Sequence, residues 1–262
     1  MIAALSLGTP PNTTTQPSAT PFPFPSTPQP SVPESPLSSV DTLLGLSTDL
    51  WPIIHRLSHL LSFKESIEAA LAAGEISKAT VLRTELENTS QAIELALTTW
   101  KPTIAPSVDG DKPTADPVLD PKFEDARMQS ILNNAEAYRN SAFVYLYRTI
   151  RSHPRDHHLV QRHTHLSLVA CSNVVNSAEL CHNGPMSALL WPLFVASCEA
   201  ITEEDRELAM SSFEGTERRQ GMNNIMRTWE VVQEVWRRAD LGEEVVNWRD
   251  ICAERGFNIV FG

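Results

Sequence analysis

Five histidines crowd one short stretch of this chain: His153, His157, His158, His163 and His165. Imidazoles at close spacing can ligate a metal or carry protons. A zinc site needs three or four ligands converging at about 2.0–2.3 Å. Pro154 stands between His153 and His157 at an expected helix boundary, so these two need not share a face. His158 and His165, seven apart, can. No glutamate lies at metalloprotease spacing beside them. The run therefore reads as a polar, half-buried helix face, and no metal is assigned. General acid–base work by His157, His158 or His165 is the enzymatic alternative.

The second chemical feature is a single carboxylate, Glu199, at the end of SALLWPLFVASCEA. A carboxylate on an apolar helix either points to water or finds an ionic partner inside. Removing one member of a buried pair costs about 3–5 kcal/mol. Arg206, Arg218, Arg219 and Arg227 follow in the next two expected helices and are the candidate partners. A structural ion pair is the favoured reading, and a polar anchor in a ligand pocket is the alternative. Trp191, Pro192, Phe194, Glu199, Arg227, Trp236 and Trp248 form the candidate set of structural or pocket-lining residues.

Other catalytic signatures are missing. There is no Gly-x-Gly-x-x-Gly, no phosphate-cradling loop and no Gly-x-Ser-x-Gly. Cys171, Cys181, Cys198 and Cys252 lack Cys-x-x-Cys spacing, and three of them fall in apolar helical patterns. They read as buried thiols in a reducing compartment. With no catalytic constellation, a non-enzyme is expected. Neither a metal nor any other cofactor is assigned to this chain.

The elements that hold these residues are helical. Glycine is scarce at 10 of 262 residues, strand-like alternation is nearly absent, and apolar residues recur at three- and four-residue spacing from about Ser47 onward. An all-α fold follows: an irregular bundle of antiparallel helices around an apolar central helix. The Leu189 to Cys198 run is apolar all round and must be wrapped by neighbours. At ten residues it is too short to cross a membrane.

Residues 1–38 hold ten of the nineteen prolines, set among Ser, Thr and Gln, and are expected to be a disordered linker. The helical domain takes residues 39–262. Ser47 is placed as an N-cap for a stripe of Leu50, Ile53, Ile54, Leu57, Leu60 and Leu61. Ser62 and Glu65 have capping-box spacing and suggest a fresh helix to about Ala73. A helix over 76–100 follows, then a flexible proline- and aspartate-rich loop over 101–122 that serves as a seam between two halves. Beyond it, helices are expected over 123–152 and 155–181, with a turn at His182-Asn183-Gly184-Pro185. The apolar helix comes next, then one capped by Thr202 and Asp205 and ending before Gly221. The last two run over 222–240 and 245–255.

The formal charge of −11 repels phosphate and anionic lipid, so neither direct nucleic-acid contact nor membrane association is expected. The six tryptophans belong to the core by default, with one or two available to a partner.

Several stretches together carry a family likeness: DTLLGLSTDLWPIIHRLSHLL, NNAEAYRNSAFVYLYRTI, ALLWPLFVASCEA, RRQGMNNIMRTWEVVQEVWRR and VNWRDIC. They span about Asp41 to Gly262. In these the chain resembles the C-terminal regulatory region of fungal binuclear zinc cluster transcription factors, in the branch of acriflavine-sensitivity-control-type regulators. The resemblance implies an all-helical regulatory domain in the nucleus, working through protein partners such as a second copy or transcription co-regulators. A small-molecule effector between helices is a further expectation. The resemblance also implies an N-terminal module in which six cysteines hold two zinc ions. None of the four cysteines here has that spacing, so zinc and DNA contact are carried onto no residue of this chain. A cytoplasmic helical scaffold is the rival reading.

Overall fold

A computed structural model describes residues 50–102, 121–178, 189–221, 223–243, 245–256, 258–259 and 261. The expected linker over 1–38, the Ser47 cap, most of the 101–122 loop, Cys181 and the His182–Pro185 turn lie outside the described residues. Within them the fold is all-α, as the periodicity predicts, with no strand. The helices are α1 (Leu50–Ala72), α2 (Ile76–Thr99), α3 (Pro121–Tyr145), α4 (His158–Ala178), α5 (Leu190–Glu199), α6 (Glu203–Gln220), α7 (Asn223–Asp240) and α8 (Trp248–Glu254). A π-helical turn, Leu146–Ile150, extends α3.

The apolar α5 is the hub. It packs against α3, α4, α6 and α7, and Trp191, Leu193, Phe194 and Ala196 are all buried. Each large apolar side chain so buried contributes about 1.5–3 kcal/mol. Pro192 is accommodated because it sits in the first turn of α5, where a backbone N–H has no helical acceptor to lose. Its carbonyl accepts from Ser141 Oγ of α3 at 2.8 Å, and Ser167 Oγ of α4 lies 2.8 Å from Ser141 Oγ. Each hydroxyl has one proton and a carbonyl acceptor of its own, Pro192 for Ser141 and Ala137, at 3.1 Å, for Ser167, so either can be the donor between the two. Three helices are thus joined by hydroxyls inside an otherwise apolar interface.

Local signals are strongest in α6. Thr202 Oγ1 accepts from the Asp205 N–H and donates to Asp205 Oδ2. Glu203, Glu204 and Asp205 occupy the first turn, and Arg218 and Arg219 the last, so the charges complement the helix dipole. Gly221 closes the helix at φ 57°, with its N–H on the Glu217 carbonyl at 2.7 Å. Inside α6, Gly215 lets α4 approach closely: a Cβ there would lie 2.3 Å from Val175 Cγ1.

One expectation is corrected. The capping-box spacing at Ser62 and Glu65 does not begin a new helix, because Ser62 Oγ donates back to the His59 carbonyl and α1 runs unbroken through both. Burial of Leu57, Leu60 and Ile67 along one stripe of α1 overrides the local signal. On α7 the inner face is Ile225, Thr228, Val231, Val232 and Val235, while Met226 is exposed. After α8, Ile259 and Phe261 are buried again and bring the C-terminal segment onto the core. Phe261 packs against Phe194, with ring centroids 5.2 Å apart.

Candidate functional site

Beside α5 lies a cavity of about 640 Å³, walled by α1, the α3–π segment, α5, the α7–α8 connection and Phe261. That size is ordinary for a small-molecule site, which typically spans about 300–1,000 Å³. The aromatic wall is Trp191, Phe194 and Trp248. Phe194 meets Trp248 edge to face at 5.2 Å, and Trp191 stacks on Tyr138 at 5.4 Å, with Trp51 behind it. These contacts lock the rings that face the cavity.

The polar side of the wall comes from α1 and the π turn. Lys64 Nζ donates to the Thr149 carbonyl at 2.7 Å and to Ser152 Oγ at 2.9 Å. Burial pushes its pKa down, opposed by Glu68. Ser152 stands at φ 57°, a left-handed conformation uncommon for a residue with a Cβ, so the Lys64 bond helps hold this bend. A π turn shifts the side-chain register and turns Arg148 towards the end of α5.

Glu199 is paired, and its partners differ from those expected. Arg148 Nε donates to Glu199 Oε2 at 2.8 Å, and Arg155 Nε lies 3.9 Å from the same oxygen. All three side chains are about one-fifth exposed or less. Arg206 instead makes a two-pronged bond with Asp240. Arg218 and Arg219 close the far end of α6, and Arg227 is exposed on α7. The correction has a geometric cause: the carboxylate leaves α5 at its last residue and faces the turn between the π segment and α4. Arg148 Nη1 also donates to the His153 carbonyl at 2.8 Å.

The end of α5 is capped by side chains from elsewhere. Gln161 Nε2 donates to the Glu199 carbonyl, Arg155 Nη2 to the Ala200 carbonyl, and Trp236 Nε1 to the Ser197 carbonyl. These bonds satisfy carbonyls that a helix terminus leaves open. Of the seven candidates, Trp191, Phe194, Glu199 and Trp248 meet at the cavity. Pro192 faces Ser141, Trp236 caps α5 and lies under Arg206, and Arg227 stands apart from this wall. Lys64, Tyr145, Arg148 and Arg249 also line the cavity and lie outside the seven candidates. Arg148 and Arg155, set either side of the Pro154 break in an acidic chain, were the signal that could have found the pair.

The histidines separate into different roles. His163 Nδ1 lies 2.9 Å from Asn140 Oδ1, and its ring stacks on Phe143 at 4.2 Å; burial pushes its pKa down to about 4. His165 Nδ1 lies 2.7 Å from Asp205 Oδ1, supporting the α6 cap. His153 stacks on His157 at 4.2 Å, and His157 lies against His158. Among the described residues no group of three His, Cys, Asp or Glu is placed to hold a metal. Cys171 and Cys198 are buried, and burial raises both thiol pKa values, which disfavours the nucleophilic thiolate. No described helix is long and apolar enough to cross a membrane.

The arrangement suits reversible binding of an apolar or amphipathic body against aromatic rings. A sequence profile of the fungal-specific transcription factor domain matches residues 4–262. No curated protein and no solved structure matches the chain significantly. The profile covers nearly the whole sequence, and the chain belongs to the family of fungal-specific transcription factor domains, with a role in transcription regulation.

Proposed function

We propose that this domain regulates transcription in the nucleus by presenting its helical surface to protein partners, and that occupancy of the cavity beside α5 sets that surface. DNA reading and zinc binding are assigned to no residue of this chain. The partners are a second copy or transcription co-regulators. The observation that carries the reading is the position of the cavity. Its walls come from α1, the π turn, α5, the α7–α8 connection and the C-terminal segment, so one occupant touches elements far apart in sequence. A ligand that fits one arrangement of these elements better than another shifts their population, and only by that difference in affinity.

The family and the buried, unactivated thiols both speak for contact over catalysis. The test fuses the full chain to a heterologous DNA-reading domain and measures transcription from a reporter carrying its site in a fungal host. Reporter output moved several-fold in either direction is the expected result. Unchanged output, with the fusion stably expressed and bound at the promoter, would overturn the proposal and favour the scaffold reading.

A further inference from the structure

The charges around the cavity are sorted by depth. Lys64, Arg148 and Arg249 line it, and all three are half-buried; Arg155, also half-buried, stands behind Arg148. Among the described residues, Lys64, Arg148 and Arg155 are met in this space by one half-buried carboxylate, Glu199. The remaining acids of the wall, Glu65 and Glu68, are exposed on α1. Water screens exposed carboxylates strongly and half-buried groups much less. The interior therefore carries an excess of positive charge beside a wall of aromatic rings.

A second observation points the same way. The cavity shares Arg148, Glu199 and Trp248 with a narrow annex of about 30 Å³ that reaches Arg155 and has Glu243 at its exposed side. There Arg155 Nε is buried without a hydrogen-bond partner, its distance to Glu199 Oε2 being 3.9 Å. Glu199 thus serves two guanidinium groups and satisfies one well. Lys64 spends two bonds on Thr149 and Ser152, leaving its third N–H, and Arg148 bonds through Nε and Nη1, leaving Nη2.

We infer that the effector of this cavity is an amphipathic carboxylate. Its apolar body packs on Trp191, Phe194 and Trp248, and its head accepts from Lys64 and Arg148. The inference rests on the cavity being an effector site. Alkyl and aryl carboxylates share this chemistry, and the experiment separates them.

The test titrates the full chain by calorimetry, with tryptophan fluorescence as a second readout, using decanoate, decan-1-ol, decyltrimethylammonium and 2-naphthylacetate at neutral pH. A charge-assisted hydrogen bond lost from the head is worth about tenfold in affinity. Decanoate is expected to bind about tenfold more tightly than decan-1-ol, and the ammonium more weakly than either. Lys64→Met is expected to lower decanoate affinity about tenfold and decan-1-ol affinity by clearly less, because the neutral hydroxyl loses a weaker bond. Naphthylacetate binding above decanoate assigns an aryl body, and the reverse an alkyl one; both support a carboxylate head. The alcohol or the ammonium binding as tightly as decanoate overturns the head assignment while leaving the cavity an effector site. Failure of every probe to bind overturns both. The comparison of head groups on the unsubstituted chain requires no variant to fold.

Discussion

Replacing Glu199 with Gln tests whether the α5 terminus is held by charge. The Arg148–Glu199 bond at 2.8 Å is charge-assisted, and such bonds contribute about 1.5–3 kcal/mol, against about 0.5–1.5 for neutral ones. The amide keeps an acceptor for Arg148, so the bond itself loses about 1 kcal/mol or a little more. Arg148 and Arg155 then face each other with no anion between them, which brings the expected loss to about 1–3 kcal/mol. This stays below the 3–5 kcal/mol of a fully buried broken pair because the two bonded side chains keep 21% and 16% exposure. At about 2–4 °C per kcal/mol for a domain of this size, the thermal midpoint should fall by about 2–12 °C. Denaturant unfolding of the full chain, with Arg148→Gln and the double variant completing a cycle, measures the coupling directly. Arg219→Gln, on the far end of α6, should combine additively with Glu199→Gln. A loss under about 0.5 kcal/mol, or a coupling with Arg219 equal to that with Arg148, would refute the reasoning and make the pair an ordinary surface contact.

Three further outcomes are expected. Gly215→Ala should destabilise by about 1–2 kcal/mol, since overpacking against Val175 costs about 1–3 kcal/mol and the better helix former returns up to about 1. Val175→Ala added to it should recover part of the loss in the same denaturant assay. His163 has a folded pKa of about 4 against an ordinary 6.5, so the unfolded chain binds its proton first and stability falls as pH drops from about 6.5 towards about 4. The fall from this one site, screened by partial exposure, should be about 1–3 kcal/mol. His163→Phe should remove that part of the pH dependence in melts across the window. Cys171 and Cys198, buried with raised pKa values, should resist iodoacetamide in the native chain and react on unfolding, read by mass spectrometry of labelled peptides.

Much of the fold was legible because it is written in local spacing. The apolar run around Trp191 identified the hub, since a ten-residue helix without a polar face has nowhere to sit except among others. Thr202, Asp205 and Gly221 marked both ends of α6 for the same reason: caps act within one turn. Ser62 and Glu65 show the limit of that logic, because the same spacing occurs inside α1 where packing keeps the helix whole. The site was legible only by half. Trp191, Phe194, Glu199 and Trp248 were visible as apolar or isolated residues, but periodicity says which face turns inward and not which neighbour meets it. Glu199 finds Arg148, 51 residues earlier, through a π turn that no capping or periodicity signal announces. Lys64 was hidden for the same reason: its role depends on the Ser152 bend it bonds to.

On this reading the cavity beside α5 governs the domain's effect on transcription. That control is tested most directly by filling the space and reading the promoter. Val195, half-buried on the cavity wall, is replaced by Trp in the tethered reporter fusion, alongside a melt confirming that the thermal midpoint stays close to that of the unchanged chain. The filled, folded variant is expected to lose the several-fold shift in reporter output or to lock it at one extreme. A folded variant whose output matches the unchanged chain under every growth condition tried would contradict this reading.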